Sequence, residues 1–322
     1  MTQTDTGGEG VRWGVLSTAR INEDVLRGVA GSPAVEVVAV ASRSAQRAEA
    51  FASEWGIPHA FGSYEELLAS DAVEAVYIPL PNGLHVQWTL AALEAGKHVL
   101  VEKAFSPRAA EVERCFDVAE ERGLVLSEGF MWRHNPQTER LVSLLPEIGE
   151  LRLVRAAFSF PLVGRDDDVR WDPALDGGAL LDVGCYCVSA ARLFGGEPEH
   201  VSSEAVMTRR GVDSRFAGIL RFPGDVVATF DCGFDLAARD ELEIAGSEGS
   251  LFADDPWHCL TPAIELRRDS GVETIAIAPA NSYRLELEDV SAVIRGERDA
   301  PRLGRDDAVG QARALEALLA AA

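Results

Sequence analysis

The sequence predicts an α/β protein: a doubly wound parallel sheet, then an α+β domain with a large, mostly antiparallel open sheet. Up to about residue 128, short β-branched runs alternate with amphipathic helical stretches, which is typical of a parallel sheet covered on both faces. Beyond it, strand-like runs follow one another between Gly, Pro and Asp turns with few helices, which indicates an antiparallel sheet. A length of 322 residues allows two domains, each with its own core.

The first strand and turn resemble a dinucleotide-binding motif. An apolar run leads into a tight turn and a helix opening within WGVLSTARI, residues 13–21. Small residues there let a cofactor pyrophosphate approach the backbone at a helix N-terminus. The predicted cofactor contacts are Gly14, Leu16, Ser17, Thr18, Ala19 and Arg20. An ordinary βα turn is the alternative, because two of the three usual glycines are replaced.

Periodicity and capping signals define the elements of the first half. Strands are predicted at Val11–Leu16, Val35–Ala41, Ala75–Pro79, Lys97–Val101 and Leu124–Ser127. Helices are predicted at residues 20–30, 44–55, 63–70, 83–95 and 107–122. Ser63 and Glu66 form a capping box, and Gly96 and Gly123 stand where helices should end.

The second half begins with a helical segment near residues 136–145. Many strand-like runs follow, and examples are Leu151–Phe160, Val201–Met207, Phe216–Phe222, Val226–Asp231, Glu241–Ala245 and Thr274–Ile277. One helix begins near Gly178, and helices at 282–296 and 305–321 close the chain.

These patterns predict three regions. Residues 1–10 form a disordered N-terminus, and residues 11–128 form a dinucleotide-binding Rossmann domain. Residues 129–322 form an α+β domain for substrate binding and oligomerisation, whose closing helices can pack back on the first domain.

The strongly acidic composition limits the choice of partners. Asp and Glu number 52 against 30 Lys and Arg, a formal charge of −22, so nucleic acid and anionic membranes are expected to be repelled. A salt-adapted surface would give the same composition. The chain lacks a run of about 18 apolar residues, and MTQTDTGGEG lacks the features of a signal peptide. We therefore expect a cytoplasmic protein.

The cysteines give no sign of a metal or disulfide site. The five are Cys115, Cys185, Cys187, Cys232 and Cys259, without the paired spacing of zinc or redox motifs. We expect reduced, structural thiols and no metal. A reactive thiol is the alternative for Cys185 and Cys187, which lie near a site described below.

The end of the second strand predicts which dinucleotide binds. NAD-binding proteins place a carboxylate there to bind the adenosine ribose, whereas this chain has Ser42 and Arg43. A hydroxyl and a guanidinium can hold a 2′-phosphate, so NADP is favoured, with NAD possible. The alternative is that Arg43 is a solvated residue at a helix start.

Two further strand ends supply candidate cofactor contacts. The loop after the 75–79 strand is stiffened by two prolines, and its predicted contacts are Leu80, Pro81, Asn82 and His85. A structural role is the alternative for the lone His85. The strand in KHVLVEK carries Glu102 and Lys103 to the edge where open α/β sheets bind ligands. Desolvation and a nicotinamide charge should lower the pKa of Lys103. A strand-end lysine that reaches water beside Glu102 is an alternative that fits the sequence equally well.

The segment DGGALLDVGCYCV, residues 176–188, supplies the partners for Lys103. Asp182 and Tyr186 are four residues apart and so share one face of a helix. The carboxylate can orient a substrate hydroxyl. A tyrosine whose pKa is pulled below about 10 by a cation can exchange a proton with that hydroxyl. The alternative places Asp182 at the helix dipole and Tyr186 in the core.

Together these motifs resemble the glucose–fructose oxidoreductase and inositol dehydrogenase family, Gfo/Idh/MocA. The resemblance covers nearly the whole chain. It rests on WGVLSTARI, YIPLPNGLHVQWTLAALEAGKHVLVEKA, EGFMWRHNPQ, GELRLVRAAFSF and RWDPALDGGALLDVGCYCV. The branch it resembles holds NADP-dependent xylose and glucose dehydrogenases, dihydrodiol dehydrogenases and keto-sugar reductases.

The resemblance implies roles for particular residues. Lys103 matches the lysine of the family's Glu-Lys-Pro motif, Tyr186 the proton-transfer tyrosine, and Asp182 an aspartate that contacts substrate. Ala104 replaces the motif's proline, which is expected to loosen the backbone after Lys103. Ser17 and Ala19 in place of glycines are shared with the xylose and dihydrodiol branch.

The resemblance also implies the reaction and its partners. We expect a NADP(H)-dependent oxidoreductase acting on a sugar or cyclic polyol, with Tyr186 and Lys103 at the reacting oxygen. The alternatives are a nucleotide-linked keto-sugar reductase and a non-catalytic NADP-binding regulator. A homodimer or homotetramer through the second sheet is expected. Weaker predictions for the pocket wall, with domain packing as the alternative, are Arg133, His134, Arg170 and Trp171.

Overall fold

The computed structural model describes residues 10–162, 164–165 and 167–322. Disorder was predicted for residues 1–10, of which residues 1–9 lie outside the described residues. Two sheets and the helices around them make up the described chain, and the predicted fold class is confirmed.

The first sheet is wholly parallel. Its strands are β1 Val11–Leu16, β2 Val35–Ala41, β3 His59–Phe61, β4 Ala75–Ile78, β5 His98–Glu102 and β6 Leu126–Gly129. They lie in the order β3-β2-β1-β4-β5-β6, so the order reverses between β1 and β4, where open sheets bind ligands. The edge strand β3 was missed because three residues, HAF, are too short to show alternation.

Helices connect these strands. They are α1 Ile21–Val29, α2 Ala45–Trp55, α3 Tyr64–Leu68, α4 His85–Glu94 and α5 Ala109–Glu121. The Ser63 hydroxyl accepts a hydrogen bond from the Glu66 N–H at 3.2 Å, as the capping signal predicts. The Glu66 carboxylate accepts from the N–H of Gly62, one residue before the position of an ordinary capping box.

The second sheet has eight strands in the order β14-β13-β12-β11-β7-β10-β9-β8. All neighbouring pairs are antiparallel except β7 and β10. The strands are β7 Leu151–Ser159, β8 His200–Met207, β9 Asp213–Arg221, β10 Val227–Gly233, β11 Arg239–Gly246, β12 Ser250–Ala253, β13 Ala263–Arg268 and β14 Gly271–Ala276. Strands β12 and β13 were not among the examples named from the sequence, because charged and turn-forming residues obscure their alternation.

The remaining helices are α6 Pro136–Ser143, α7 Cys185–Gly195, α8 Ser282–Ile294 and α9 Arg305–Ala321. A π-helical turn, Leu180–Gly184, leads into α7. Within the described residues, Pro173–Gly195 is long and apolar enough to cross a membrane by length and composition alone. Most of this stretch is buried inside the protein, as in a core helix.

The last two helices connect the sheets. Leu287 and Val290 of α8 pack into the core under β1, and the Trp13 indole donates a hydrogen bond to the Ser291 hydroxyl at 3.1 Å. Val309 of α9 joins the core on the other face of the first sheet. The two sheets therefore share packed helices on either side of the cleft between them.

Candidate active site

A cleft of about 1220 Å³ opens at the carboxyl ends of the first sheet's strands. One wall consists of the turns after β1, β2, β4 and β5, and the other consists of β7, β11 and the segment before α7. Eleven of the predicted cofactor contacts line it: Ser17, Thr18, Ala19, Arg20, Ser42, Arg43, Leu80, Pro81, Asn82, Glu102 and Lys103. The topology therefore brings residues from four strand ends to one edge of the sheet.

The turn after β1 keeps a glycine-like backbone despite its serine. Ser17 has a φ of 142°, a region that favours glycine. Its hydroxyl accepts from the Ala19 N–H and donates to the Pro79 carbonyl, and its own carbonyl accepts from Asn22 at 2.7 Å. These hydrogen bonds hold the strained residue in place.

Two predicted contacts of this motif lie away from the cleft. A Cβ on Gly14 would lie 2.8 Å from Leu67, so this glycine allows close packing of β1 on α3. Leu16 is fully buried in the same core. Gly14 and Leu16 were predicted as cofactor contacts, but both face the helix layer and neither lines the cleft, because residues two apart in a strand point to the same face of the sheet.

Two arginines stand at the end of the cleft next to β2. Arg43 and Arg47 line it together with Ser42 and Tyr64. Burial raises the pKa of the Tyr64 phenol, and the charges of both guanidinium groups oppose that rise. Arg47 was missed by the sequence analysis, although its position one helical turn after Arg43 would have indicated it.

The loop after β4 reaches across to the second domain. The Asn82 side chain donates to the carbonyl of Asp176 at 3.0 Å, and Arg108 donates to the Asp176 carboxylate. A Cβ on Gly83 would lie 2.9 Å from the backbone of Leu175, so glycine permits this approach. This crossing closes one end of the cleft.

His85 does not face the cleft, which corrects its prediction as a cofactor contact. Its ring is fully buried, with Nε2 2.7 Å from the Leu80 carbonyl and Nδ1 2.9 Å from the Ala104 carbonyl. Burial lowers the pKa of His85 to about 4 against the effect of these carbonyls, so the ring is neutral at pH 7. His85 joins the two loops that carry Leu80 and Lys103.

The backbone after Lys103 is well held, contrary to the expectation that Ala104 would loosen it. Ala104 is fully buried in a cis peptide bond with Lys103, and its carbonyl contacts His85. The next N–H, of Phe105, donates to the Glu128 carboxyl at 2.8 Å. Glu102 accepts a hydrogen bond from the Tyr77 hydroxyl at 2.6 Å.

Lys103, Asp182 and Arg170 form an ion-paired group on the cleft wall. The Lys103 Nζ donates to Asp182 Oδ1 at 3.1 Å and to its carbonyl at 2.8 Å, while Arg170 Nε donates to Oδ2 at 2.6 Å. Burial is the largest effect and favours a neutral amine, but the neighbouring acidic groups, Asp182 first among them, together outweigh it and raise the pKa of Lys103. The expected lowering of this pKa was wrong, because the carboxylate is in direct contact.

Asp182 responds in the opposite direction. Burial favours the neutral acid, but Lys103 and Arg170 outweigh it and lower the pKa of the Asp182 carboxyl. Both partners are therefore charged at pH 7. Of the four residues given as weaker pocket-wall predictions, Arg170 is the one that lines the cleft.

The glycines of the DGG segment allow Asp182 to reach Lys103. A Cβ on Gly177 would lie 2.4 Å from the Arg170 carbonyl, and one on Gly178, whose φ is 119°, would clash with Asp213. The Asp213 carboxylate accepts the Leu180 N–H at 2.7 Å, so it caps the π-helical turn from a distant strand. Asp182 is thereby fixed in the first turn, facing the cleft.

Tyr186 lies in the same cleft as Lys103. The Lys103 ammonium lies 5.2 Å from the centre of the Tyr186 ring, and the phenol hydroxyl contacts Met131 Sδ at 3.6 Å. The ring packs edge-on against Phe130 and Phe158. The expected convergence of the amine and the phenol is therefore observed.

The ionisation of Tyr186 differs from the expectation. Burial raises the pKa of its phenol well above the usual range, and neighbouring acidic groups raise it further. Lys103 faces the ring rather than the hydroxyl, so the predicted lowering does not occur. Tyr186 is a neutral phenol, and hence a proton donor, at pH 7.

Three predicted pocket-wall residues serve packing between elements instead. Arg133 donates to Ser189 and Asp307, at 3.3 Å each, within the protein interior. His134 is buried with its Nε2 3.4 Å from Asp289. Trp171 packs edge-on against a phenylalanine, Phe234. The alternative given for them, domain packing, is the one that the structure shows.

Several cleft residues were absent from the prediction. Phe158, Asp240, His258 and Tyr283 line the cleft from β7, β11, the loop after β12, and α8. Asp240, His258 and Tyr283 lie outside the motifs given above, and only the fold brings them to the same cleft as Tyr186. Among the described residues, ligand atoms of Asp240, Asp255 and His258 lie within 4.8 Å of one another, but protein hydrogen bonds already engage both carboxylates.

All five cysteines are free and buried. Burial raises the pKa of the Cys185 and Cys187 thiols above the usual range, which disfavours the reactive thiolate. The structural role predicted for them is the one that this environment supports.

The parallel sheet with its cleft at the switch point is typical of dinucleotide-binding α/β proteins. Residues 11–130 match the family model described as an oxidoreductase family with a NAD-binding Rossmann fold, GFO_IDH_MocA. Residues 146–252 match the GFO/IDH/MocA C-terminal domain. The chain belongs to the Gfo/Idh/MocA family of oxidoreductases.

Relatives with assigned activities are similar over most of their length. A D-xylose 1-dehydrogenase (NADP⁺) from Haloferax volcanii is 42% identical over 95% of both chains. A trans-1,2-dihydrobenzene-1,2-diol dehydrogenase from Macaca fuscata fuscata is 38% identical over 79% of this chain and 77% of its own. The crystal structure of a 3-ketoreductase from Actinomadura kijaniata with NADP and TDP-benzene has a TM-score of 0.91, 34% identity and coverage of 97% and 98%.

Proposed function

We propose that this protein is a NADP(H)-dependent oxidoreductase that transfers hydride between nicotinamide and a sugar or cyclic polyol, as an aldose or xylose dehydrogenase does. The observation that carries the proposal is the meeting of Lys103 and Tyr186 at the switch-point cleft of a dinucleotide-binding sheet. Relatives named xylose dehydrogenase and dihydrodiol dehydrogenase support the same class.

The cleft residues fit a phosphorylated dinucleotide. Ser17 keeps the glycine-like turn before α1, and Arg20 gives this helix no side-chain cap, so its N-terminal end at Arg20 and Ile21 faces the cleft where a pyrophosphate would lie. Arg43 and Arg47 would hold the adenosine 2′-phosphate, and Ser42 supplies a hydroxyl. When bound, the cofactor supplies or accepts a hydride at C4 of its nicotinamide.

Tyr186 and Lys103 handle the proton and the charge of the reaction. In reduction, the neutral Tyr186 phenol donates its proton to the substrate carbonyl oxygen as the carbonyl carbon receives hydride. The Lys103 ammonium stabilises the negative charge that develops on that oxygen. In oxidation the proton of the substrate hydroxyl passes to Tyr186, and the phenol must already be deprotonated to accept it.

Asp182 holds Lys103 at the reacting oxygen. Its two carboxylate oxygens bind Lys103 and Arg170 separately, so the ammonium is charged and its position is fixed. The same carboxylate lines the cleft and can accept a hydrogen bond from a substrate hydroxyl. Arg170 in turn is held by Asp168 at 3.2 Å.

Charge pairing at this end of the cleft favours a neutral substrate. Lys103 and Arg170 are paired with Asp182, and Arg239 donates to the Asp231 carboxylate. A diphosphate would have to break one of these pairs, whereas a sugar or polyol would not. We therefore favour a sugar or polyol as the substrate over a sugar that carries a diphosphate.

A nucleotide-linked keto-sugar reductase is the second candidate. The observation that favours it is the 34% identity to dTDP-3,4-didehydro-2,6-dideoxy-alpha-D-glucose 3-reductase from Actinomadura kijaniata. A non-catalytic NADP-binding regulator is the third. It is disfavoured because a regulator has no need of both Lys103 and Tyr186.

Two substitutions and a substrate panel test the proposal. Tyr186→Phe removes only the phenol hydroxyl, so turnover should fall by about 100-fold or more while the Kd for NADPH is unchanged. Absorbance of the reduced nicotinamide is followed with aldoses, vicinal cyclic diols and dTDP-linked keto-sugars, each with NADP(H) and NAD(H). Unchanged turnover in Tyr186→Phe would remove the proton-transfer assignment, and NADP(H) binding without turnover of any substrate would indicate the regulator.

Arg43→Ala tests the cofactor choice. It should raise the Kd for NADPH far more than the Kd for NADH, because only NADPH has the 2′-phosphate. Arg122→Ala, beyond the end of α5, is the control and should change neither. An equal loss for both cofactors would reject a contact between Arg43 and the phosphate.

We also propose that the protein is a cytoplasmic homodimer or homotetramer formed through the outer face of the second sheet. That face carries exposed Ile219, and Val272 is exposed on the edge strand β14. Outward-facing residues of this sheet also form ion pairs between neighbouring strands, such as Arg155 with Glu243. Sedimentation velocity of the parent protein and of Ile219→Glu tests this assembly, and a monomeric parent would reject it.

A further inference from the structure

His258 and Asp240 form a hydrogen-bonded pair in the cleft that the mechanism above does not use. The His258 Nδ1 lies 2.6 Å from Asp240 Oδ2, so the ring N–H donates to the carboxylate. The His258 side chain is 48% exposed, whereas that of Asp240 is 19% exposed. The carboxylate is therefore the enclosed member, and the imidazole projects into the cleft.

The protein fixes this pair from both sides. Asp240 belongs to β11, and its other oxygen, Oδ1, accepts the N–H of Trp257 at 3.2 Å. Trp257 is fully buried and donates its indole N–H to the Ala157 carbonyl at 3.1 Å. The loop that carries His258 is thus anchored to two neighbouring strands, and the imidazole is held in one orientation.

This orientation determines which nitrogen a ligand can reach. Because Nδ1 donates to Asp240, the Nε2 atom is the one left for a cleft ligand. In the neutral ring Nε2 accepts a hydrogen bond, and in the charged ring it donates one. A substrate hydroxyl can satisfy either form, since a hydroxyl both donates and accepts.

One aromatic ring separates His258 from the reacting groups. Phe158 packs edge-on against His258, with ring centres 5.4 Å apart, and edge-on against Tyr186, at 5.3 Å. Trp257 lies 5.9 Å from the Tyr186 ring. Phe158 is therefore an apolar surface with the His258 imidazole on one side and the Tyr186 phenol on the other. This arrangement matches a ring-shaped ligand with two hydroxyl groups.

We propose that His258, oriented by Asp240, determines substrate specificity by binding a second hydroxyl group of the sugar or polyol, at a carbon other than the one that exchanges hydride. The inference rests on the function proposed above and deepens it. His258 contacts substrate without taking part in the proton transfer, and Asp240 is a positioning residue. The site therefore selects polyhydroxylated substrates over simple alcohols of similar size.

The test crosses a His258 substitution with deletions of single substrate hydroxyls. For the aldose that the parent enzyme oxidises best, kcat/KM is measured for the sugar and each of its monodeoxy analogues, with the parent enzyme and with His258→Ala. On the full sugar, His258→Ala should lower kcat/KM by about tenfold, the size of one lost hydrogen bond. On one particular deoxy sugar the same substitution should have almost no effect, because the partner hydroxyl is already absent.

Further variants separate recognition from structural damage. His258→Gln should recover part of the activity, because its amide reaches the position of Nε2. Asp240→Ala should reproduce the selective loss of kcat/KM. Asp240→Asn should keep the kcat/KM of the parent, because the amide oxygen still accepts the hydrogen bond from Nδ1. His200→Ala, an exposed histidine of β8 outside the cleft, should behave as the parent. The Kd for NADPH should be unchanged in all of them.

The outcomes distinguish this inference from the proposed function. If His258→Ala lowers kcat/KM by the same factor for the full sugar and for every deoxy analogue, the hydroxyl contact is refuted while the proposed function stands. If the parent turns over no aldose or polyol, the proposed function fails and this inference fails with it.

Discussion

Replacing Glu128 with glutamine tests whether a buried carboxyl near Lys103 is neutral in the folded protein. Glu128 lies in β6 and is 1% exposed. One oxygen accepts the Phe105 N–H at 2.8 Å, just after Lys103, and the other has no hydrogen-bond partner among the described residues. Glutamine keeps the accepting oxygen and the shape but cannot ionise.

The expected change in stability follows from the shifted pKa. Burial raises the pKa of Glu128 from 4.5 to about 8, with the Phe105 N–H opposing the rise. The unfolded chain releases its proton near pH 4.5, while the folded protein keeps it up to about pH 8. Glu128 therefore costs stability progressively as pH rises between these values, at about 1.36 kcal/mol per pH unit. The total is at most about 5 kcal/mol, and Glu128→Gln removes it.

Urea denaturation at pH 5, 6, 7 and 8 measures the difference in unfolding free energy between Glu128→Gln and the parent. The unfolding free energy of the variant minus that of the parent should increase from pH 5 to pH 8. Packing effects of the substitution do not depend on pH, so they change the value at pH 5 but not the slope with pH. Glu94→Gln, at the exposed end of α4, is the matched control for removing a charge. A difference for Glu128→Gln that does not depend on pH would refute the assignment of a neutral carboxyl.

Four other predictions follow from the structure. Ser17→Gly should change stability by less than about 1 kcal/mol, because glycine adopts this positive φ freely. Ser17→Val should destabilise by about 1–3 kcal/mol, because a β-branched residue is strained there and valine lacks the serine hydroxyl that bonds Ala19 and Pro79; thermal unfolding of both variants decides this. Arg108→Ala breaks the bridge to Asp176 across the cleft end, so stopped-flow fluorescence should show faster NADPH release, and an unchanged rate would reject a clamp. The rate of substrate oxidation should rise with pH through the alkaline range while the rate of reduction falls, because burial raises the pKa of Tyr186; flat profiles would contradict its role. Finally, the Tm should rise as KCl is increased from 0.05 to 1 M, because salt screens the repulsion within a chain of formal charge −22, and a constant Tm would contradict this.

The first sheet could be predicted almost completely from the sequence. Strand β1 and the long helix α9 have the predicted bounds, because uninterrupted apolar runs and regular helical spacing identify such elements locally. Strand β3 could not be found, since three residues carry too little pattern. In the second sheet, β12 and β13 were not among the examples named, because pairing partners distant in the chain stabilise short, partly charged strands.

The candidate site was predicted in part. Lys103, Asp182 and Tyr186 were identified because each lies in a recognisable motif, and the structure brings all three to one cleft. His85 and Arg133 carry similar chemistry in similar motifs, yet both are buried in packing roles. A motif predicts that a polar side chain lies near a strand end or turn, but the direction in which it points depends on what packs around it.

The sequence by itself determined the alternation of strands and helices, the small residues of the first turn, the absence of a carboxylate after β2 and the lysine that ends β5. These features are local, so they can be inferred from neighbouring residues. Only the tertiary structure decided that the pKa of Lys103 is raised, with Asp182 beside it, rather than lowered by burial. It also decided that His258 packs against Phe158, next to Tyr186. Both depend on contacts between residues far apart in the chain, and such contacts set burial and charge environment, which no local pattern encodes.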